Sequence, residues 1–365
     1  MINLEIESLE SWSGVKDRPM IIAGPCSAET EEQIMDVASQ LNGKQVDIMR
    51  AGIWKPRTRP NAFEGVGEDG LKWLQAAKAQ YGHKIGTEVA NPQHVELALK
   101  YGIDVLWIGA RTSVNPFSMQ EIADSLKGVD IPVLVKNPIN PDTQLWIGAL
   151  ERIRGAGITK LAAIHRGCST YQKIRYRNLP MWNMAIELKR LIPEMPIIND
   201  PSHIAGKRDL ILEVSQRAMD LGLDGLMIET HPNPEKAWSD AAQQVTPDRL
   251  VEILGLLKIR TSSSSNVAFN ETLEDLREQI DGIDRDVIEV LATRMRVVEK
   301  IGEFKRDNNV TTLQASRWDA ILKDRIATGQ SVELSEGFIT AIYEEIHRAS
   351  IKRQSEIMNN QNINA

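Results

Sequence analysis

The chain has 365 residues, 42% of them hydrophobic and 25% charged, the balance of a globular protein with a sizeable core and length for two domains or one large barrel with an appendage. Its net charge of -7 argues against a nucleic-acid partner, so an anionic substrate has to be held by cations gathered locally against the overall field. Two cysteines, Cys26 and Cys168, cannot build a disulfide framework; with no export signal in "MINLEIESLE" and no apolar run near the ~20 residues that cross a bilayer, a cytoplasmic location is expected.

In chain order, "INLEIESL" reads as a short strand ahead of everything else. From about residue 19 to 258, short β-branched runs alternate with amphipathic stretches. The runs are "PMIIAGPCS", "VDIMRAGIW", "KIGTEVA", "DVLWIGA", "IPVLVKNP", "KLAAIHRG", "PIINDPSH" and "GLMIETH". Each is too short and too uniformly apolar for a half-exposed antiparallel strand, so buried parallel strands fit. The intervening stretches, such as "EEQIMDVASQL" and "DGLKWLQAAKAQYG", predict helices, several of them ending at Gly. Eight strand-helix units in roughly 240 residues predict an α/β fold, a (β/α)8 TIM barrel, over a doubly wound open sheet. In "RTSSSSNVAFNET" four consecutive serines pack nothing and mark a linker. Beyond it Leu273, Leu276, Ile280, Ile283, Val287, Leu291, Val298 and Ile301 recur at three- and four-residue steps, which predicts one long helix over about 271–306. Two more helices, at about 312–328 and 335–358, complete an all-helical domain. The expected division is a barrel over 1–259, a Ser-rich linker over 260–270 and a three-helix domain over 271–360.

A barrel of this kind carries its chemistry at the carboxyl ends of its strands. The polar residues that close the eight runs are Cys26, Lys55 with Arg57, Glu88, Arg111, Lys136, His165 with Arg166, His203 and Glu229, and they are expected to converge on one pocket. Cys26, His203 and Glu229, with Asp240 just beyond in "AWSDAA", offer sulfur, nitrogen and oxygen donors. That mixture suits a borderline divalent ion, Mn, Fe, Co or Zn, and does not suit Mg or Ca. Cys26 as a buried small hydrophobe or as a nucleophile are the competing readings. Arg111, Lys136 and Arg166 form a purely cationic set that repels itself unless a phosphate or carboxylate substrate sits between its members. Taken singly, each of these residues reads equally well as a surface ion pair or a core filler, so the set as a whole carries the argument.

The motifs "AGPCS", "KPRT", "GTEV", "GAR", "HRG", "DPSH" and "GLMIETH" stand in this order between residues 18 and 258. In this the chain resembles the type I β subgroup of 3-deoxy-D-arabino-heptulosonate 7-phosphate (DAHP) synthases, (β/α)8 barrels that condense phosphoenolpyruvate with erythrose 4-phosphate. The resemblance implies that Cys26, His203, Glu229 and Asp240 ligate a divalent metal and that Arg111, Lys136 and Arg166 hold phosphoenolpyruvate. It places Lys55, Arg57 and Thr58 at the erythrose phosphate, with Lys55 as the general acid for the alkoxide that forms when the polarised aldehyde is attacked. Cys26 is then a ligand, because this condensation needs no covalent nucleophile. The nearest alternative, 3-deoxy-D-manno-octulosonate 8-phosphate synthase, reads Lys-Ala-Asn-Arg-Ser where this chain has "KPRT". Arg59 departs from the pattern, standing where many members have Ser. Cys168 reads as a packed thiol, and Glu88 as support for Lys55 or for the metal.

In the long helix, Arg294 and Lys305 are eleven positions apart, close to three whole turns, and share a face. Arg277 lies 17 positions before Arg294, about 25 Å away on a straight helix and rotated by roughly a quarter turn. One small ligand cannot touch both in one chain, so a shared ligand requires a second copy. The stretch from Leu276 to Gln354 resembles the all-helical, AroQ-type chorismate mutases, which are intertwined dimers of three-helix chains. Carried across, the partner's Arg277 and Arg294 bind the two carboxylates of chorismate. Lys305 and Gln354 donate to its ether oxygen, and Arg317 and Ser350 complete the cage. Gln314 and Trp318 stand where the well-known bacterial form has acidic residues. The rearrangement to prephenate is pericyclic, so a cage that freezes the diaxial conformer and stabilises charge on the ether oxygen is sufficient. The chain is thus expected to be a bifunctional enzyme, a homodimer or larger, with prephenate inhibiting the barrel through the helical domain. A non-catalytic regulatory or dimerisation module is the alternative for the helices.

Overall fold

The structure, a computed structural model, describes residues 2–55, 63–171, 173–261 and 263–359, apart from the side chains of 315 and 316. The chain folds into two compact units, Met1–Ser262 and Ser263–Ala365. No described helix is long and apolar enough to cross a membrane.

In the first unit a five-residue helix, α1 (Leu9–Ser13), precedes strand β1 (Met20–Gly24). Then follow α2 (Glu31–Leu41), β2 (Ile48–Arg50), α3 (Glu68–Tyr81), β3 (Ile85–Val89), α4 (Pro92–Lys100), β4 (Val105–Ile108), α5 (Pro116–Ser125), β5 (Val133–Lys136), α6 (Thr143–Gly155), β6 (Leu161–His165), α7 (Trp182–Leu191), β7 (Ile197–Asn199), α8 (Pro201–Ala205), α9 (Ile211–Asp220), β8 (Gly225–Glu229) and α10 (Pro247–Leu256). The eight strands close into a parallel barrel in sequence order. β8 returns onto β1 in a register running from Met20↔Gly225 to Gly24↔Glu229. Each strand lies inside one of the eight apolar runs of the sequence. The helices begin where polar side chains satisfy their first amides: Thr30 accepts from Gln33, Asn91 from His94, Asp142 from Leu145 and Thr246 from Arg249.

Period-two alternation sorts the strand side chains into two cores. One set, which includes Ile21, Ala23, Leu106 and Val135, packs outward against the helices. The other set fills the barrel itself: Met20, Ile22, Ile48, Val105, Trp107, Leu134, Ala162, Ile164, Ile198 and Met227. Val15, Leu9 and Trp12 pack onto this inner layer, so α1 and the turn after it close the floor of the barrel. The strand expected over "INLEIESL" does not form. That segment lies beside the barrel, held by single backbone bonds from Ile2 N to Leu191 O and from Glu7 N to Thr159 O and broken at Glu5, whose φ is 49, because a closed barrel offers no free edge for another strand.

The second unit is α11 (Val267–Asp307), α12 (Ala315–Gln330) and α13 (Glu336–Asn359). α11 is one uninterrupted helix of 41 residues, and its start at Val267 takes in part of the stretch read as linker. α13 lies along its C-terminal part, where Arg294 Nη1 donates to Ser350 Oγ at 2.6 Å and Arg353 Nη2 to Glu299 Oε1 at 2.7 Å. Gly302 permits this approach, since a Cβ there would stand 3.3 Å from the Gln354 backbone. On the N-terminal part of α11 the apolar stripe stays open, with Leu276, Ile280, Ile283 and Val287 between 50 and 61% exposed.

Candidate functional sites

The barrel site begins at Gly24. Its φ of +143 lies where only glycine is at ease, and a Cβ there would stand 2.1 Å from Arg50 O. The chain then turns through Pro25 and delivers Cys26, 1% exposed, into the mouth. Glu229, fully buried, ends β8, and Asp240 follows at a left-handed φ of 50. Ligating atoms of Cys26, Glu229 and Asp240 all lie within 4.8 Å of one another. His203 joins from α8: its Nε2 is 3.8 Å from Glu229 Oε1, while its Nδ1 is 2.8 Å from Asp200 Oδ2. A carboxylate behind an imidazole in this way turns the other ring nitrogen toward a metal. Glu229 Oε1 is buried yet receives no hydrogen bond among the described residues, with Arg50 Nη2 at 3.4 Å. A buried oxygen left open beside a thiol, an imidazole and a second carboxylate fits a divalent cation of the borderline class.

The charges of the site are mutually set. Burial, and then Glu229, push the Cys26 thiol up to about 11. Burial also opposes ionisation of Asp240, but Arg177, His203 and Lys55 overcome it and bring that carboxyl down to about 2. Asp200 is desolvated too, yet His203 and Lys136 hold it well below the usual carboxylate range. The Lys55 ammonium donates to Cys26 O and lies 3.1 Å from Cys26 Sγ. Gly52 makes room for this, since a Cβ on it would stand 2.7 Å from both Cys26 O and Lys55 Nζ.

The cationic set is less bare than the sequence suggested. Lys136 Nζ donates to Asp200 Oδ2 at 2.8 Å, so a protein carboxylate already stands among the cations. Arg166 donates to Asn178 Oδ1 at 3.0 Å and to Gly167 O at 3.2 Å. Burial, with Arg177 and Arg111 adding to it against Asp200, lowers its guanidinium to about 10, so these positive groups feel one another. Arg111 is exposed at the mouth. Arg57, Thr58 and Arg59 lie outside the described residues. Their flanks are fixed by Lys55 N donating to Glu64 O at 2.8 Å and by Trp54 stacked on His94 at 3.8 Å.

Three strand-end residues do other work. Glu88 accepts the Trp107 indole N–H at 2.8 Å and lies across Gly109. His165 has the outward parity of β6; Asn199 and Pro180 O engage its two nitrogens, so it leaves the mouth. Cys168 is buried with its sulfur 3.4 Å from Met184 Sδ, a packed thiol. The sequence reading missed Arg50, Asp200 and Arg177. Arg50 stacks on Trp107 at 4.8 Å and reaches Glu229, and Arg177 holds Asp240 Oδ1 at 3.0 Å. Parity was the available signal for the first two, because Arg50 follows inward Ile48 and Asp200 follows inward Ile198.

In the helical unit, Arg294 and Ser350 are bonded to each other, and Lys305 Nζ donates to Thr312 O at 2.6 Å. Gln354 is 7% exposed, and its Oε1 is buried without a partner among the described residues. Arg277 is exposed beside Glu274 at 3.4 Å, and Arg317 is exposed on α12. The four residues Arg294, Lys305, Ser350 and Gln354 thus belong to one helix-pair region, while Arg277 stands well up α11.

Comparison with known proteins identifies both parts of the chain. Residues 2–264 match the model of the DAHP synthetase I family, and residues 276–355 that of chorismate mutase type II. A phospho-2-dehydro-3-deoxyheptonate aldolase of Thermotoga maritima is 35% identical over 238 residues, which are 65% of this chain and 68% of that protein. A 2-dehydro-3-deoxyphosphooctonate aldolase of Cupriavidus necator is 27% identical, over 66% of this chain and 89% of its own. The crystal structure of the DAHP synthase from Thermotoga maritima superposes with a TM-score of 0.58 at 33% identity, covering 65% of this chain and 67% of that one. Barrel closure, strand-end chemistry and these matches lead to one statement: the chain belongs to the DAHP synthetase I family and carries a C-terminal domain of the type II chorismate mutase family.

Proposed function

We propose that the chain is a bifunctional enzyme of aromatic biosynthesis. Its barrel (1–259) condenses phosphoenolpyruvate with erythrose 4-phosphate and a water molecule to DAHP and phosphate, and its helical domain (271–360, after a linker over 260–270) converts chorismate to prephenate. The observation that carries the first half is the buried convergence of Cys26, Glu229 and Asp240, with His203 aimed at Glu229. These four residues would hold a divalent ion, Mn, Fe, Co or Zn, and such an ion supplies Lewis-acid polarisation of a carbonyl when bound. Lys55, beside Cys26, delivers a proton to the alkoxide oxygen. Arg111, Lys136 and Arg166 grip carboxylate and phosphate of the enol substrate, and Arg57 and Thr58 take the sugar phosphate.

In the helical domain, Arg294 and the partner's Arg277 hold the two carboxylates of chorismate, with Arg317 and Ser350 closing the cage. Lys305 and the open Gln354 side chain face the ether oxygen, where negative charge grows. A homodimer or larger assembly is supported by the uncovered stripe on α11 and by the place of Arg277. Prephenate restrains the barrel through the helical domain, in a cytoplasmic protein. Two assays test the reading. Chelator-treated protein should lose DAHP formation and regain it on addition of Mn, Fe, Co or Zn, with erythrose 4-phosphate preferred over arabinose 5-phosphate; activity untouched by complete metal removal rejects the metal role. Lys305→Ala should abolish chorismate consumption, and prephenate should slow DAHP formation in the full chain but not after cleavage at the serine linker. Unchanged turnover in the variant rejects the Lys305 assignment, and a wild-type chain that consumes no chorismate favours the helical domain as a non-catalytic regulatory module.

A further inference from the structure

A residue that the preceding reading does not use stands in the helical unit among those it does. His347 precedes Ser350 by three positions and Gln354 by seven on α13, so the three share one face. Its imidazole stacks on Trp318 of α12, ring centroids 4.0 Å apart and planes 16° from parallel. Trp318 and Gln314, one turn earlier on α12, are the positions where the family resemblance called for acids. The His347 ring is half-buried, and about two turns further along the same face Gln354 Oε1 is buried without a partner among the described residues. The buried, open Gln354 oxygen points to a donor from outside the described residues on this face, and the His347 ring lies on that face with it.

We propose that His347, held on Trp318, is a member of the dicarboxylate site of the helical domain and takes up a proton when the dianion binds. The inference rests on the reading of that domain as a chorismate and prephenate site. Its physical basis is the charge around the ring. The charged groups acting on it are Arg294 and Lys305, both from α11. α12 contributes the neutral Trp318 face, and on its own helix Arg348 is paired with Glu345. Burial, and then those two cations, keep the imidazole below its ordinary value, so the ring is neutral at pH 7 in the empty site. A bound dianion cancels the repulsion from Arg294 and Lys305 and adds its own attraction, and both effects favour the imidazolium. By linkage, a ligand that promotes protonation binds more tightly as pH falls. A carboxylate at position 318 would act in the opposite direction, holding a proton on His347 before the ligand arrives.

The experiment uses the full chain and follows mutase kinetics between pH 8 and pH 6, with calorimetry of prephenate binding in two buffers of different ionisation heat. Wild type should show KM for chorismate falling by about threefold to tenfold over that range with kcat nearly flat, and prephenate binding should take up a fraction of a proton per site. His347→Gln should keep its helical content and oligomeric state, hold one KM across the range and bind prephenate with no proton uptake. Trp318→Phe, which keeps an aromatic face, should retain the pH dependence. A pH-independent KM in wild type overturns the proposal whatever the variant does, as does an unchanged slope in His347→Gln. If wild type neither consumes chorismate nor binds prephenate, the reading of the domain falls and the proposal with it.

Discussion

Asp200 shows how much one carboxylate can organise. It is completely buried and takes Lys136 Nζ and His203 Nδ1 on the same oxygen, while Oδ1 caps the first turn of α8 through His203 N at 3.1 Å. One side chain therefore orients a proposed metal ligand and neutralises a proposed substrate cation. Asp200→Asn keeps the shape and the cap but leaves Lys136 without its anion. The expected outcome is metal affinity weaker by about 10- to 100-fold in chelator competition, with stability lower by about 3 to 5 kcal/mol in urea unfolding. Wild-type affinity in the variant would show that His203 needs no such support. His165 makes a separate prediction about acid. Burial, against the hydrogen bond to Pro180, lowers its imidazole from 6.5 to about 4, so between those values the unfolded chain binds a proton that the folded chain does not. Stability is then fully present above about pH 6.5 and falls as pH drops toward 4, by about 3 kcal/mol at most. His165→Gln should flatten that part of the urea-derived stability profile. The same residue marks where sequence reading erred: "HR" closes a strand run, but adjacent residues face opposite sides of a sheet, so only Arg166 could enter the mouth. Counting parity from Ile48 and Ile198 would have found Arg50 and Asp200. Arg177 lay in a loop with no periodicity to expose it.

At the scale of elements, the site depends on two loops stitched together. The segment after β1 and the segment after β8 join through Cys26 N to Gln244 Oε1 at 2.9 Å, Trp238 N to Glu29 Oε1 at 2.8 Å, and the Ser27 and Ser239 hydroxyls. His231 Nε2 lies 3.5 Å from Glu29 Oε2 behind them. These bonds give Cys26 and Asp240 the fixed spacing that a bare loop lacks. Gly52 is the tight point on the other side. Gly52→Ala puts a methyl against the Cys26 carbonyl, which is backbone and cannot swing away, and against the Lys55 ammonium. Synthase kcat should fall by about tenfold or more from misplacement of Lys55, with stability lower by about 1 to 3 kcal/mol; normal kcat would remove Lys55 from the proton-transfer role. The eight strands were legible because each buried run carries its own boundary signals. The floor helix was not, because "LESWS" is too short for a period and its packing depends on a barrel that no local window contains.

For the whole molecule, the long helix asks for company. Leu276, Ile280, Ile283 and Val287 form a stripe too apolar for water over a stretch where α13 does not run. In the proposed two-fold assembly a second copy would cover it with the same stripe, and Arg277 would then reach the site of its neighbour. Complementation tests this directly. Arg277→Ala and Arg294→Ala should each be inactive as mutases alone, whereas dimers mixed at random should recover about a quarter of the wild-type sites, because half are hybrids with one intact site each. No recovery in verified hybrids would place Arg277 in its own chain's business. Distances along the helix sufficed to raise this at the sequence level, since ~1.5 Å per residue separates Arg277 from Arg294 beyond the span of any small dianion. What sequence could not supply was the Trp318 and His347 pair, which comes together only when two helices meet.

The closed floor under the first domain carries a final consequence. Leu9, Trp12 and Val15 pack against the inner apolar layer at one end of the barrel, and the ligand cluster lies at the other, where the strands end. If two reactants stack along the barrel axis above that cluster, the lower one has to arrive before the upper and depart after it.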